Sequence, residues 1–299
     1  MDVSSPDKLI FPADGVTKAD MVGHYERVGA HMLAFAAGRP ITLQRFPQGI
    51  EGKGFMQKNA AQHFPSSIRR YPVAKRDGGD TVYPIVDEAA DFAYLANQNT
   101  VTFHMWTSSA DRPMHPDWMV IDLDPEAGDV EKVRLATRTI EGVLSSFGIV
   151  GFVMATGSKG FHVWVPLDGS SGFDDVSLAA RALAGLAVMQ EPDSLTTEFL
   201  KKNRDGRVFV DWLRSTPTAT VVVPFSLRPR PGAPVAVPLR WDELDDAEPT
   251  GWTIDSLGDR LDVDTAIPPQ RLEVERIVDT ARTAGVDLDT QHDRFGRER

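Results

Sequence analysis

The stretch Trp118-Met119-Val120-Ile121-Asp122-Leu123-Asp124-Pro125 sets two carboxylates into an otherwise apolar run. A strand alternates its side chains between faces and rises about 3.3 Å per residue, so residues two apart share a face, roughly 6–7 Å between Cα atoms. Val120, Asp122 and Asp124 therefore lie on one face, with Ile121 and Leu123 on the other. Two neighbouring acids repel and resist burial unless a cation lies between them. An isolated Asp-x-Asp-Pro equally describes a strand running into a solvated turn stopped by Pro125, so the rest of the chain decides.

Outward from this run the pattern alternates between helices and strands. Thr17-Lys18-Ala19-Asp20, followed by apolar Met21, Val22, Tyr25, Val28 and Met32, predicts a capped amphipathic helix ending near Ala37-Gly38-Arg39-Pro40. Strands are expected over 41–46, 81–86, 100–106, 151–155, 161–165, 208–213 and 218–223, and helices over 87–98, 130–147, 174–189, 194–201 and 271–284. Residues 48–58, with Gly49, Gly52 and Gly54, read as a flexible loop, 225–238 as a proline-rich ordered loop, and the tail after Asp289 as frayed. There is no internal repeat and no low-complexity linker. The expected class is α/β or α+β, a single core of mixed or antiparallel sheets flanked by helices.

Composition narrows the function. The 299 residues are 41% hydrophobic and 25% charged, ordinary for a globular chain. The lack of any cysteine excludes disulfides, thiolate zinc sites and a cysteine nucleophile. The N-terminus lacks the basic and apolar segments of a signal peptide, and no apolar run approaches the roughly 20 residues that span a bilayer, so a cytoplasmic protein with no membrane partner is expected. A net charge of −11 argues against a polyanion partner, but its distribution argues less strongly. Residues 1–76 carry eleven basic side chains against six acids, a net of +5, whereas 241–264 carry nine acids and one base. Local field decides which surface a polyanion approaches, so nucleic-acid binding on one side and simple solvated faces both remain open.

Two constellations carry chemistry. Asp211 ends a second apolar run, Val208-Phe209-Val210-Asp211-Trp212. Alone it reads as a strand-end acid with a salt-bridge partner such as Arg214. Together with Asp122 and Asp124 it completes a carboxylate set able to hold two magnesium or manganese ions about 3.5–4 Å apart, the spacing that activates an attacking oxygen and steadies a leaving phosphate. The turn Thr156-Gly157-Ser158-Lys159-Gly160-Phe161-His162 offers two glycines, hydroxyls and a lysine to phosphate, or is a plain glycine-rich hairpin turn; it is not a P-loop.

Taken in order, Val120-Ile121-Asp122-Leu123-Asp124-Pro125, Thr156-Gly157-Ser158-Lys159-Gly160-Phe161-His162 and Phe209-Val210-Asp211 resemble motifs I, II and III of the archaeo-eukaryotic primase superfamily. The branch they resemble is the polymerase domain of bacterial multifunctional DNA ligase D, with its stand-alone primase-polymerase relatives. Gly15-Val16-Thr17-Lys18, Thr81-Val82-Tyr83-Pro84-Ile85, Phe103-His104-Met105-Trp106 and Pro224-Phe225-Ser226-Leu227-Arg228 add to the likeness, which runs from about Lys8 to Asp264.

The resemblance implies one catalytic domain over 1–299: a basic N-terminal lobe (1–115) contacting DNA, a catalytic lobe (116–240) and an acidic C-terminal segment (241–299). Asp122, Asp124 and Asp211 are implied catalytic metal ligands for two Mn2+ or Mg2+ ions. His104, Thr156, Ser158, Lys159, His162 and Arg228 are implied contacts of the incoming NTP or dNTP. Lys8 and Lys18, otherwise ordinary surface lysines, match two lysines that grip a DNA 5′-phosphate at a gap or break. Lys53, Phe55, Met56 and Lys58 fall where relatives present a template-contacting loop with a stacking aromatic. The implied activity is templated nucleotide addition at short gaps or break ends, in end joining or base excision repair. It is expected in a bacterial, nucleoid-associated setting, beside a separate DNA ligase and an end-binding protein.

Two features depart from that pattern or distract from it. Thr156 stands where serine is usual in the branch, and its hydroxyl survives. Lys75-Arg76-Asp77-Gly78 spells a ligase adenylation signature, but the other ligase motifs are missing. The rival readings are a non-catalytic DNA-end-binding scaffold that recruits a ligase and a metal-dependent nuclease.

Overall fold

The computed structural model describes residues 2–75, 77–126 and 129–289. Arg76 of the Lys-x-Asp-Gly sequence and the tail expected to fray after Asp289 lie outside the described residues. The first part of the chain forms β1 (Leu9–Phe11), β2 (Val16–Thr17), α1 (Lys18–Ala36), β3 (Ile41–Arg45), β4 (Phe55–Gln57), β5 (Arg69–Ala74), β6 (Asp80–Ile85), α2 (Ala89–Asn97) and β7 (Thr100–Trp106). There follow β8 (Trp118–Asp124), α3 (Val130–Ser146), β9 (Phe152–Ala155), β10 (Phe161–Pro166), α4 (Phe173–Gln190), β11 (Leu195–Thr196), β12 (Val208–Asp211), β13 (Thr220–Val222), β14 (Val237–Leu239) and α5 (Val274–Thr283). The mixed α/β class is the one the sequence predicts. No described helix is long and apolar enough to cross a membrane.

The chain divides into two compact units. One comprises 1–111, 220–237 and 250–262, and holds the four-stranded sheet β13-β7-β3-β4 and the hairpin β5-β6. Helix α1 starts where predicted, because Thr17 accepts the N–H of Asp20 while the Asp20 carboxylate accepts the N–H of Thr17, a reciprocal cap. Its apolar stripe, Met21, Val22, Tyr25, Val28 and Met32, is buried. The expected loop 48–58 is partly a strand, since Leu43, Gln44 and Arg45 pair antiparallel with Gln57, Met56 and Phe55 at the sheet edge.

The other unit comprises 112–219, 238–249 and 263–299 and is built on a six-stranded sheet in the order β11-β12-β8-β10-β9-β14. Strand β8 lies between antiparallel neighbours β12 and β10. Helices α3 and α4 bury Val133, Ile140, Val143, Val176 and Leu183 in this unit. The helix expected over 194–201 does not form: Leu195 and Thr196 instead pair in parallel with Val208 and Phe209. A backbone that can join a sheet edge gains ladder hydrogen bonds that a short isolated helix, with its costly first turn, cannot match.

The β9–β10 connection depends on one glycine. A Cβ on Gly160 would lie 1.8 Å from the carbonyl oxygen of Leu123 and 3.1 Å from Pro125 Cδ. The missing side chain is therefore what lets the turn close onto the end of β8, next to Asp124. Gly160→Ala is expected to lose about 3 kcal/mol in urea unfolding, the scale of a severe backbone clash. Gly142→Ala, where a Cβ meets nothing within 4 Å in α3, should gain up to about 1 kcal/mol.

Candidate active site

Strand register brings three of the candidate residues into one row. On β8, Asp122 faces Asp211 of β12 on one side and His162 of β10 on the other. Directly opposed residues on one sheet face hold their Cβ atoms about 4.5–5.5 Å apart, so Asp122 and Asp211 form a like-charged cross-strand pair. Asp124, two residues along β8, shares their face.

The repulsion is answered by an arginine. Just past β12 the chain enters a 3-10 turn, Leu213–Ser215, which points Arg214 back at the row. Its Nε lies 3.1 Å from Asp122 Oδ2 and a terminal nitrogen lies 3.2 Å from Asp211 Oδ2. The turn is held by Ser215, whose Oγ accepts the Val120 N–H at 3.1 Å and donates to the Val120 carbonyl at 3.2 Å. His162 Nε2 sits 3.4 Å from Asp122 Oδ1, and its buried Nδ1 finds no hydrogen-bond partner among the described residues. The pairing of Asp211 with Arg214 is the one its sequence context suggests, and Arg214 reaches Asp122 as well.

Electrostatics separates the three acids. Burial works to raise the Asp122 pKa, but His162 and Arg214 facing it hold the carboxyl well below the usual carboxylate range. Burial pushes Asp211 up to about 6, with Asp122 adding to the rise and Arg214 opposing it. Asp124 is also raised, first by burial and then by Asp122, against the pull of Arg204, Lys159 and Lys201.

Arg204 was not among the residues singled out in the sequence. It is almost fully buried, 4.0 Å over the ring of Phe209, and donates to the carbonyls of Glu198 and Phe199 while a terminal nitrogen lies 3.7 Å from Asp124 Oδ2. The available signal was the basic run Lys201, Lys202, Arg204 and Arg207 leading into the Asp211 strand. Among the described residues, no cluster of three or more His, Asp or Glu side chains is gathered as a metal site. The three carboxylates are drawn instead onto the Arg214 and Arg204 guanidiniums. The donor set nonetheless suits a hard divalent ion, because all its members are carboxylate oxygens on one sheet face and their charge already attracts a cation.

In the turn after β9, Thr156 is buried and both its N–H and its hydroxyl donate to the Gly160 carbonyl, at 3.1 and 2.7 Å. Its hydroxyl thus closes the loop. Gly157 takes φ +63°, Ser158 is half-buried and Lys159 is exposed. The geometry leaves Lys159 as the turn's cation and Ser158 as its accessible hydroxyl.

The remaining candidates belong to the other unit. His104 lies in β7, opposite Thr42 and Val222 on its two neighbouring strands. Arg228 follows the buried Phe225-Ser226-Leu227 segment and donates its N–H to the Pro234 carbonyl at 2.8 Å. Lys18 is not an ordinary surface lysine: it is only 3% exposed, with Nζ 2.6 Å from Ser4 Oγ. Lys8 Nζ donates to the Pro47 carbonyl and, at 3.0 Å, to Asn99 Oδ1. Burial, Lys8 and Arg45 lower the Lys18 pKa, and among the described residues none of the three cations forms an ion pair with a carboxylate. Arg45 is thus a further member of this basic cluster. Phe55 and Met56 project from edge strand β4, 45% and 47% exposed, with the Arg45 guanidinium 5.6 Å from the Phe55 ring centre. Lys53 and Lys58 flank that strand.

The raised Asp211 pKa makes stability depend on pH. The folded protein holds this proton more tightly than the unfolded chain, so stability falls as pH rises from an ordinary 3.8 to about 6. It then levels, a loss of up to about 3 kcal/mol. Asp211→Asn removes that slope. Urea melts in chelator should show the variant gaining on the parent between pH 4 and pH 7; a constant difference contradicts the raised pKa.

Comparison with known proteins agrees with this arrangement. Residues 17–267 match the family model of the LigD primase-polymerase domain. The multifunctional non-homologous end joining DNA repair protein LigD of Mycobacterium tuberculosis is 33% identical over 301 aligned residues, covering 94% of this chain and 39% of the relative. The corresponding LigD of Pseudomonas aeruginosa is 32% identical, over 87% of this chain and 31% of its own length. The chain thus spans roughly a third of the length of these curated relatives. Among solved structures, the polymerase domain of M. tuberculosis ligase D in complex with DNA superposes with a TM-score of 0.78 at 31% identity, covering 89% of this chain and 99% of that domain. An ordered acid row, a glycine-dependent turn and a match over most of the chain converge on one assignment: the chain belongs to the LigD primase-polymerase domain family.

Proposed function

We propose that the chain is a nucleotidyltransferase of DNA repair that adds nucleotides, directed by a template, at short gaps or break ends during non-homologous end joining. The observation that carries this is the row of Asp211, Asp122 and His162 with Asp124 beside it, a concentration of acid on one sheet face, from buried Asp211 to half-exposed Asp124, that a passive scaffold does not need. The names of the relatives supply the repair context, and the DNA complex of the solved neighbour supplies the partner class.

Asp122, Asp124 and Asp211 are the residues that would hold two Mn2+ or Mg2+ ions. Bound there, such ions supply charge neutralisation for the attacking 3′-oxygen and the leaving pyrophosphate. The chain's own residues do the rest. Arg214 and Arg204 give up the carboxylates they hold, Lys159, His104 and Arg228 take the triphosphate of the incoming NTP or dNTP, and His162 orients Asp122. Lys8, Lys18 and Arg45 form a cluster of cations suited to a 5′-phosphate on DNA, and the exposed Phe55 and Met56 offer an apolar surface to a template base. Manganese stimulation and tolerance of ribonucleotides belong to the same reading. End trimming and sealing fall to other modules or to a separate ligase.

One observation favours the scaffold alternative: the Arg214 bridge across Asp122 and Asp211 stabilises the acids without metal. A single assay separates the readings. On 5′-phosphorylated gapped DNA with manganese and each nucleotide set, the native protein is expected to extend the primer. Asp122→Ala or Asp124→Ala should lower extension at least about 10³-fold while DNA-end binding stays within about twofold. Binding without extension supports the scaffold, and primer shortening supports a nuclease. Lys8→Ala and Lys18→Ala should each weaken binding to 5′-phosphorylated ends more than to 5′-hydroxyl ends. Each should reduce the slope of log affinity against log salt by roughly one.

A further inference from the structure

Helix α1 buries a tyrosine that the proposed reaction does not use. Tyr25 is fully enclosed, and burial pushes its phenol pKa upward, so the hydroxyl stays neutral and serves as both donor and acceptor. It donates to the carbonyl of Val101, accepts the N–H of Leu227 at 3.0 Å, and lies 3.3 Å from Ser226 Oγ. Ser226 Oγ in turn accepts the N–H of Phe103 at 2.8 Å, and Thr102 Oγ1 donates to the Leu227 carbonyl at 2.7 Å. One phenol oxygen therefore ties strand β7, at 101–103, to the segment 226–227. His104 is the next residue on the strand, and Arg228 is the next on the segment.

The segment does not hold this shape by local preference. Phe225 takes φ +68°, in the left-handed region that a bulky side chain disfavours, so surrounding contacts must impose it. His24, beside Tyr25 on α1, has Nε2 2.9 Å from the Phe225 carbonyl. Burial lowers the His24 pKa to about 4, so the ring is neutral at working pH and Nε2 carries the proton it donates to that carbonyl. Two consecutive side chains of one helix thus grip the segment before and after the buried Ser226.

We infer that Tyr25 is a positioning residue for nucleotide binding. Through Leu227 and Ser226 its hydroxyl fixes the spacing between His104 and Arg228, and so sets affinity for the triphosphate without touching it. This rests on the nucleotide-addition reading above. Polar clamps are sensitive to such spacing: a displacement of about 1 Å costs on the order of 10²-fold.

The test compares Tyr25→Phe, which keeps the ring and removes only the hydroxyl, with Ser226→Ala and Arg228→Ala on gapped DNA. Tyr25→Phe and Ser226→Ala are each expected to raise KM for the nucleoside triphosphate at least about tenfold, with kcat within about threefold and unchanged affinity for the DNA end. Equilibrium binding of a nucleoside monophosphate, which lacks the β- and γ-phosphates, should be unaffected, and the double variant should be less than additive. A lower melting temperature with unchanged KM overturns the inference, as does an equal loss for monophosphate and triphosphate. Should Tyr25→Phe not fold, Ser226→Ala carries the same comparison. If Arg228→Ala raises KM and Tyr25→Phe does not, the positioning role alone fails; if the native protein adds no nucleotide, the proposed function fails and this inference with it.

Discussion

The antiparallel register of β12, β8 and β10 is the constraint on which the site depends. It sets Asp211, Asp122 and His162 in one row, and a one-residue slip would send each of them to the opposite face. The row is costly by itself, because two buried carboxylates facing each other repel. Its neighbourhood is arranged around that cost. Ser215 continues the edge of β8 where β12 stops, so Arg214 arrives between the acids, and Gly160 lets the β9–β10 turn settle against Leu123 beside Asp124.

Most of this was legible in the sequence because the relevant signals are local. The apolar run interrupted at Asp122 and Asp124 is a period-two pattern, and β8 forms where it is read. The cap at Thr17, the strand that carries Asp211, though it ends at Asp211 rather than Leu213, and the turn around Gly157 follow equally local rules. What escaped is non-local. Residues 194–201 have a helical pattern, yet Leu195 and Thr196 answer to the free edge of β12. Arg204 and Arg45 looked like two basic residues among many, since only the fold shows that one is buried over Phe209 beside Asp124 and the other neighbours Lys18. The hydroxyl of Tyr25 was hidden for the same reason: on α1 it reads as part of an apolar stripe, and its partners lie 76 and more residues away.

The two units present opposite unfinished charges. In one, Lys8, Lys18 and Arg45 gather with no ion pair to a carboxylate among the described residues, held by two backbone carbonyls, two side-chain amide oxygens and a hydroxyl that orient cations but do not neutralise them. In the other, three carboxylates share two guanidiniums that are tethered to their own turns. Electrostatic self-energy favours whatever ligand completes each set, an anion in the first and a compact cation in the second. On the function proposed above, a phosphate-bearing nucleic acid would answer the first and a divalent ion the second. The same arginines that quiet the acid row would also make cation binding an exchange: a divalent ion would gain only the difference between its own attraction to the acids and that of the guanidiniums it displaced. On the proposed reading, any metal affinity of the row would therefore be set as much by the turns that carry Arg204 and Arg214 as by the aspartates themselves.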